Sequence, residues 1–207
     1  MAKSALVIID VQNDFCPGGA LPVPEGDEIV PVFNRYIELF QRAGLPIYAT
    51  RDWHPKTTHH FKECGGLWPP HCVQGSQGAE FHPDLRLPED AEVVSAGVGP
   101  NEEGYSGFEG HNEEGLDLES SLRTRGVTHI YAGGLATDYC VRHTALDALS
   151  RGFRVTVLVD AVRGIDVQPG DSRRALDEMA DHGANLAAFD EVADEIRKQT
   201  SVVAGGT

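Results

Sequence analysis

Short apolar runs alternate with longer amphipathic stretches along this chain. The runs Ala5–Ile9, Pro46–Thr50, Glu92–Ala96, Thr128–Ala132, Arg154–Val159 and Asn185–Phe189 are too short for helices and several are rich in Val and Ile, so they predict strands. Between them, Glu28–Ala43 sets Ile29, Val32, Phe33, Ile37 and Phe40 on one face and stops at Gly44. Leu116–Arg125, Tyr139–Arg151 and Asp171–His182 are further helical patterns, each stopped by a glycine that leads into a strand. Repetition of that unit predicts an α/β fold in which a mostly parallel sheet is covered on both faces, a three-layer α/β/α arrangement. No internal repeat or domain boundary interrupts residues 1–207, which read as one domain.

One segment breaks the alternation. Residues 51–91 are rich in His, Pro, Gly and Cys and have little periodicity, which predicts a functional loop. Its tryptophans, Trp53 and Trp68, and its clustered histidines argue against disorder. Residues 201–207 read as a frayed tail.

The 41% apolar content of 207 residues is enough for one sizeable core. A formal net charge of −15 makes nucleic acid or an anionic membrane a poor partner and suits neutral or cationic small molecules. The apolar run of the opening MAKSALVIID is too short for a secretory segment, and no run reaches the roughly 18 apolar residues of a membrane span. A cytoplasmic location is therefore expected. The four cysteines, Cys16, Cys64, Cys72 and Cys140, form no CxxC pair; in a reducing compartment a reactive or metal-linked role is expected before disulfides.

Ligands of open α/β sheets sit beyond the C-terminal strand ends. Asp10 follows the first predicted strand, Asp52 and His54 the second, and Cys140 lies beyond the fourth at the start of a helix. There, unpaired amides and the helix dipole favour a thiolate and can hold an oxyanion; the alternative is an inert buried cysteine. Burial raises the pKa of a carboxylate such as Asp10 and suits it to proton transfer; the alternative is a loop-capping aspartate. Asp52 and His54 lie two apart on an extended segment and project the same way. With a distant histidine, His71, they suit one divalent zinc, iron or manganese ion. His59 and His60 lie close enough to add a ligand; the alternative is a solvated His-rich loop.

The blocks Ile9-Asp10-Val11-Gln12-Asn13-Asp14-Phe15, Arg51-Asp52-Trp53-His54-Pro55, Trp68-Pro69-Pro70-His71-Cys72, Tyr105-Ser106-Gly107-Phe108 and Gly134-Leu135-Ala136-Thr137-Asp138-Tyr139-Cys140-Val141 occur in that order. With these blocks the chain resembles the isochorismatase-like cysteine hydrolases, and within them the nicotinamidases, from about Ala5 to Phe189. The resemblance implies a six-stranded sheet in the order 3-2-1-4-5-6. It implies Cys140 as nucleophile, Asp10 as general base, an oxyanion hole from the amides of Ala136 and Cys140, and a cis peptide between Leu135 and Ala136. Asp52, His54 and His71 would bind the metal that holds the pyridine nitrogen, with His60 a candidate further ligand. Phe15, Trp68, Tyr105, Leu135 and Tyr139 would form the substrate site. Nicotinamide would be hydrolysed to nicotinate and ammonia, feeding NAD salvage, with pyrazinamide an alternative substrate. A homo-oligomer is compatible with the resemblance.

One position departs from the pattern. The family triad is Asp, Lys, Cys, and the lysine position at the end of the third strand is Ala96 here; no lysine occurs between Lys62 and Lys198. Without that cation the Asp10 pKa is expected to rise and the thiol to be harder to ionise. Ala96 marks either an inactivating substitution in a nicotinamidase or a relative with altered chemistry. The alternatives kept open are a metal-containing protein that binds nicotinamide without turnover and another amidohydrolase of the superfamily.

Overall fold

The computed structural model describes residues 3–204; residues 1–2 and 205–207, the end of the expected tail, lie outside the described residues. In chain order the elements are β1 (Lys3–Ile9), α1 (Ile29–Arg42), β2 (Ile47–Asp52), β3 (Glu92–Ala96), α2 (Leu118–Thr124), β4 (Val127–Leu135), α3 (Arg142–Ser150), β5 (Arg154–Arg163), α4 (Asp171–Asp181), β6 (Asn185–Ala187) and α5 (Phe189–Ala204). The six strands form one sheet in the order β3-β2-β1-β4-β5-β6, with every neighbouring pair parallel.

The central strand explains its own sequence. From Ser4 to Ile9 every residue of β1 is buried, because parallel strands covered on both faces have no solvent side and read as continuous apolar runs. Leu6 and Ile8 face a core shared with Phe33, Tyr36, Ile37 and Phe40 of α1 and with Val192 and Ile196 of α5. Ala5, Val7 and Ile9 face the other core, with Leu118 and Leu122 of α2, Ala145 and Ala148 of α3, and Met179 of α4. Helices on opposite faces make the three layers.

Two differences from the sequence-based expectation matter. The predicted last strand, Asn185–Phe189, ends at Ala187, and Phe189 opens helix α5 instead. The Asp160 carboxylate accepts from the Phe189 amide (3.0 Å) and Glu191 from the Ala188 amide (3.0 Å), which satisfies the helix start. Helix α5 then runs to Ala204, into the segment read as a tail. The helix predicted from Tyr139 begins instead as a π-helical turn, Thr137–Val141, with regular α3 only from Arg142.

The strand ends reach further toward the site than the apolar runs suggest. β2 continues to Asp52 and β4 to Leu135. Gly134 permits the extension of β4: φ is +138°, and a Cβ there would overlap the carbonyl of Ile9 on β1. The 51–91 loop is tied to the sheet by Gln12, whose side-chain amide donates to the carbonyls of Asp52 and Ala79 (both 2.8 Å) while its oxygen accepts from the Asp52 amide (2.8 Å). Asp14 accepts from the Cys72 amide at 2.7 Å. Among the described residues no helix is long and apolar enough to cross a membrane.

Helix α5 closes one face of the core, and its Ile196 is 1% exposed. Ile196→Ala is expected to lower unfolding free energy by about 2–5 kcal/mol through the cavity it leaves. Urea titration followed by circular dichroism measures this, and a loss below about 0.5 kcal/mol would mean that α5 is not part of the core.

Candidate functional site

The reactive side chains gather where three adjacent strands end. Asp10 leaves β1 with φ +51°, a turn that brings its carboxylate back over the sheet edge. Thr50 near the end of β2 holds it: Thr50 Oγ1 donates to Asp10 Oδ1 at 2.6 Å, and the Asp10 amide donates to the Thr50 carbonyl at 3.2 Å. Cys140 arrives from β4, the other neighbour of β1, on the π-helical turn, and its thiol sulfur lies within 4.8 Å of an Asp10 carboxylate oxygen. Asp10, Asp52 and Cys140 each present one donor atom within 4.8 Å of the others. The peptide between Leu135 and Ala136 is cis, as the resemblance implied.

Burial dominates the electrostatics. Asp10 is pushed well above the ordinary carboxylate range, first by burial and then by the charge of Asp52, against the hydrogen bonds from Thr50 and Cys140. The Cys140 thiol is likewise raised, by burial and then by the Asp10 and Asp52 charges. Burial also acts to raise Asp52, but the His54 and His71 rings that face it outweigh burial and bring that carboxyl down to about 2.

Beside this cluster lies a second one. His54, His60 and His71 are buried, and each offers a ring nitrogen within 4.8 Å of the others. His54 Nδ1 lies 3.2 Å from the Gly97 carbonyl, His71 Nδ1 2.8 Å from the Pro69 carbonyl, and His60 Nδ1 3.0 Å from the Glu103 carboxylate. Each Nδ1 faces an oxygen acceptor, and a ring that carries its proton there offers the Nε2 lone pair to a metal. Asp52 Oδ2 sits 3.4 Å from His54 Nε2 and 3.6 Å from His71 Nε2. The buried His54 Nε2 has no hydrogen-bond partner, a cost that a coordinated cation removes. One carboxylate and neutral imidazoles held by outer partners fit a divalent metal, and His60 belongs to the group by position.

An aromatic wall borders both clusters. Trp68 Nε1 donates to the Tyr105 hydroxyl at 2.8 Å, Trp68 meets Tyr139 edge-on at 4.9 Å, and Phe15 lies 5.4 Å from the His71 ring. Leu135 is fully buried in the core on the α1 side, with a methyl near Gly26, so its side chain faces away from the thiol.

Ala96 is the register partner of Asp52 and shares the face of the sheet that carries Thr50 and Val94. Among the described residues no lysine or arginine pairs with Asp10 or Asp52, whose charged neighbours are each other, Cys140 and the histidines. Sequence reasoning missed Thr50, Gly97 and Glu103. Nothing in the sequence distinguishes Thr50 from any strand threonine. Gly97 carries a signal only in three dimensions: a side chain there would overlap the His54 ring that its carbonyl orients.

The comparisons with known proteins agree with this geometry. The Isochorismatase domain family matches residues 4–191. A nicotinamidase of Escherichia coli is 41% identical over 202 residues, covering 90% of this chain and 95% of its own. A nicotinamidase/pyrazinamidase of Mycobacterium tuberculosis is 41% identical over 181 residues, covering 84% of this chain and 93% of its own. The crystal structure of a pyrazinamidase of Pyrococcus horikoshii in complex with zinc superposes with a TM-score of 0.83 at 52% identity, covering 90% of this chain and 99% of that one. Fold, site and comparisons lead to one conclusion: the chain belongs to the isochorismatase domain family, on its nicotinamidase branch.

Proposed function

We propose that this chain is a cytoplasmic nicotinamidase scaffold whose turnover is weakened by Ala96. The observation that carries this reading is the approach of the Cys140 sulfur and an Asp10 carboxylate oxygen to within 4.8 Å, beside a histidine cluster and an aromatic wall. Cys140 Sγ attacks the carboxamide carbon of nicotinamide, and Asp10 takes the thiol proton. The oxygen that becomes negative is received by the amides of Ala136 and Cys140. Asp10 then gives its proton to the departing ammonia, leaving a thioester. Water, deprotonated by Asp10, hydrolyses the thioester to nicotinate and restores the thiol.

Asp52, His54 and His71, with His60, would hold one zinc, iron or manganese ion, and that ion supplies a fixed positive point for the pyridine nitrogen. Trp68, Tyr105, Tyr139 and Phe15 bound the flat ring, and Leu135 contributes through its backbone. Pyrazinamide shares the ring nitrogen and the carboxamide and fits the same description. A net charge of −15 makes nucleic acid a poor partner.

The weak link is electrostatic. Attack requires Asp10 ionised and the thiol able to lose its proton, and both groups are shifted toward their protonated forms. A lysine ammonium reaching in from position 96 would stabilise both anions, and the alanine leaves their repulsion unscreened. The same fact favours a second reading, a metal-containing protein that binds nicotinamide without turning it over.

Ammonia release from nicotinamide separates the two. Ala96→Lys is expected to raise kcat by about three decades, equivalent to about 4 kcal/mol of barrier, while Cys140→Ser stays inactive. If Ala96→Lys gains nothing with metal bound, the hydrolase reading fails and the binding reading replaces it. The pH profile gives a second test. Activity is lost as pH falls through the pKa of Asp10, which burial and Asp52 hold high, so the acidic limb of kcat/KM for this chain is expected above that of Ala96→Lys. Coincident limbs would mean that position 96 does not touch the base. His71→Ala is expected to weaken zinc binding at least 100-fold in a chelator competition; unchanged affinity would remove the metal from the reading.

A further inference from the structure

The two donor clusters share a residue. Asp52 turns Oδ2 toward His54 and His71, which leaves Oδ1 buried without a hydrogen-bond partner. The same Asp52 belongs to the triplet Asp10, Asp52 and Cys140, whose donor atoms lie within 4.8 Å of one another. Donors around one tetrahedral zinc lie about 3.3–3.8 Å apart, so small side-chain rotations close this triplet on an ion. Asp10 is 3%, Asp52 4% and Cys140 7% exposed, so solvent does little to screen their charges. Among the described residues no lysine or arginine pairs with either carboxylate.

We propose that Asp10, Asp52 and Cys140 form a second divalent-cation site, adjoining the histidine site and bridged to it by the Asp52 carboxylate. Two carboxylates and a thiolate suit zinc, and a bridging carboxylate is how paired metals about 3.5–4 Å apart are held. The side chain at position 96 decides whether this site exists. Ala96 is the register partner of Asp52 on the same face, and its methyl group brings no charge there. A lysine would place an ammonium among the same oxygens and exclude a metal by repulsion. Binding forms a metal–sulfur bond and sends the Cys140 proton to solvent, with no change in oxidation state. Occupied, the site ties up the sulfur and the carboxylate that hydrolysis needs.

Cobalt(II) is the probe, because a thiolate ligand gives a sulfur-to-cobalt charge-transfer band that histidine and carboxylate ligands do not. All proteins carry Cys64→Ser, since Cys64 is an exposed free thiol. The chain is expected to bind two cobalt ions and to show the band. Cys140→Ser and Asp10→Asn should each bind one and lose the band, and so should Ala96→Lys, whose choice rests on the reading of position 96 above. Circular dichroism checks that each variant is folded, and Asp10→Asn keeps the test decisive if the lysine variant does not fold. One cobalt without the band in the chain itself overturns the second site and leaves the histidine site standing. No cobalt at all overturns both. Two ions with the band in Ala96→Lys would mean that the alanine does not govern the site.

Discussion

The fold brings two carboxylates into a buried place, and among the described residues no lysine or arginine stands between them. Asp10 directly follows β1 and Asp52 ends the neighbouring β2, so parallel pairing places both side chains at the same end of the strands. A single buried carboxylate is costly, and two that repel each other are more so. Much of the surrounding structure reduces that cost. Thr50 donates to Asp10, the thiol of Cys140 lies within 4.8 Å of the Asp10 carboxylate, and the histidines face Asp52. The result is a proton held tightly by the Asp10–Cys140 pair and a carboxylate at Asp52 that stays ionised.

That balance makes the site responsive to small changes of charge. Position 96 lies in the adjacent strand, in register with Asp52, and in the proposed function it sets whether a positive group joins the two carboxylates. The proposed turnover and the proposed second cation both follow from the same unscreened negative charge. They compete for it: an ion in that place satisfies the charge and blocks the chemistry.

The loop over residues 51–91 shows how a segment without regular structure is given a definite shape. Gln12 uses both ends of its amide to hold Asp52 and Ala79, and Asp14 holds Cys72. Both belong to the short block after β1, so one end of the first strand shapes the base and the metal loop together. The histidines are then oriented by backbone and side-chain oxygens of three separate stretches, at Pro69, Gly97 and Glu103. A ring held through Nδ1 cannot turn away from the ion position, which is why these outer contacts matter as much as the ligands.

The sequence by itself carried the layered architecture, because periodicity of apolar residues is a local property and each helix stop is marked by a glycine. It also pointed to Asp10, Asp52, His54, His71 and Cys140, which the structure brings together, because chemistry-bearing residues repeatedly followed strand ends and the ordered blocks matched one family. It did not carry α5, where Val192, Ala193 and Ile196 lie among acidic residues and the predicted strand ran on to Phe189. Nor did it carry the π-helical turn that presents Cys140, since a one-residue widening of a helix leaves no mark in residue spacing. Only the tertiary structure decided that Thr50 meets Asp10, that Glu103 meets His60, and that Asp52 belongs to both clusters. Those pairings join residues about 40 positions apart or strands that meet only in the sheet, and no local pattern encodes the distance between two side chains that the chain brings together last.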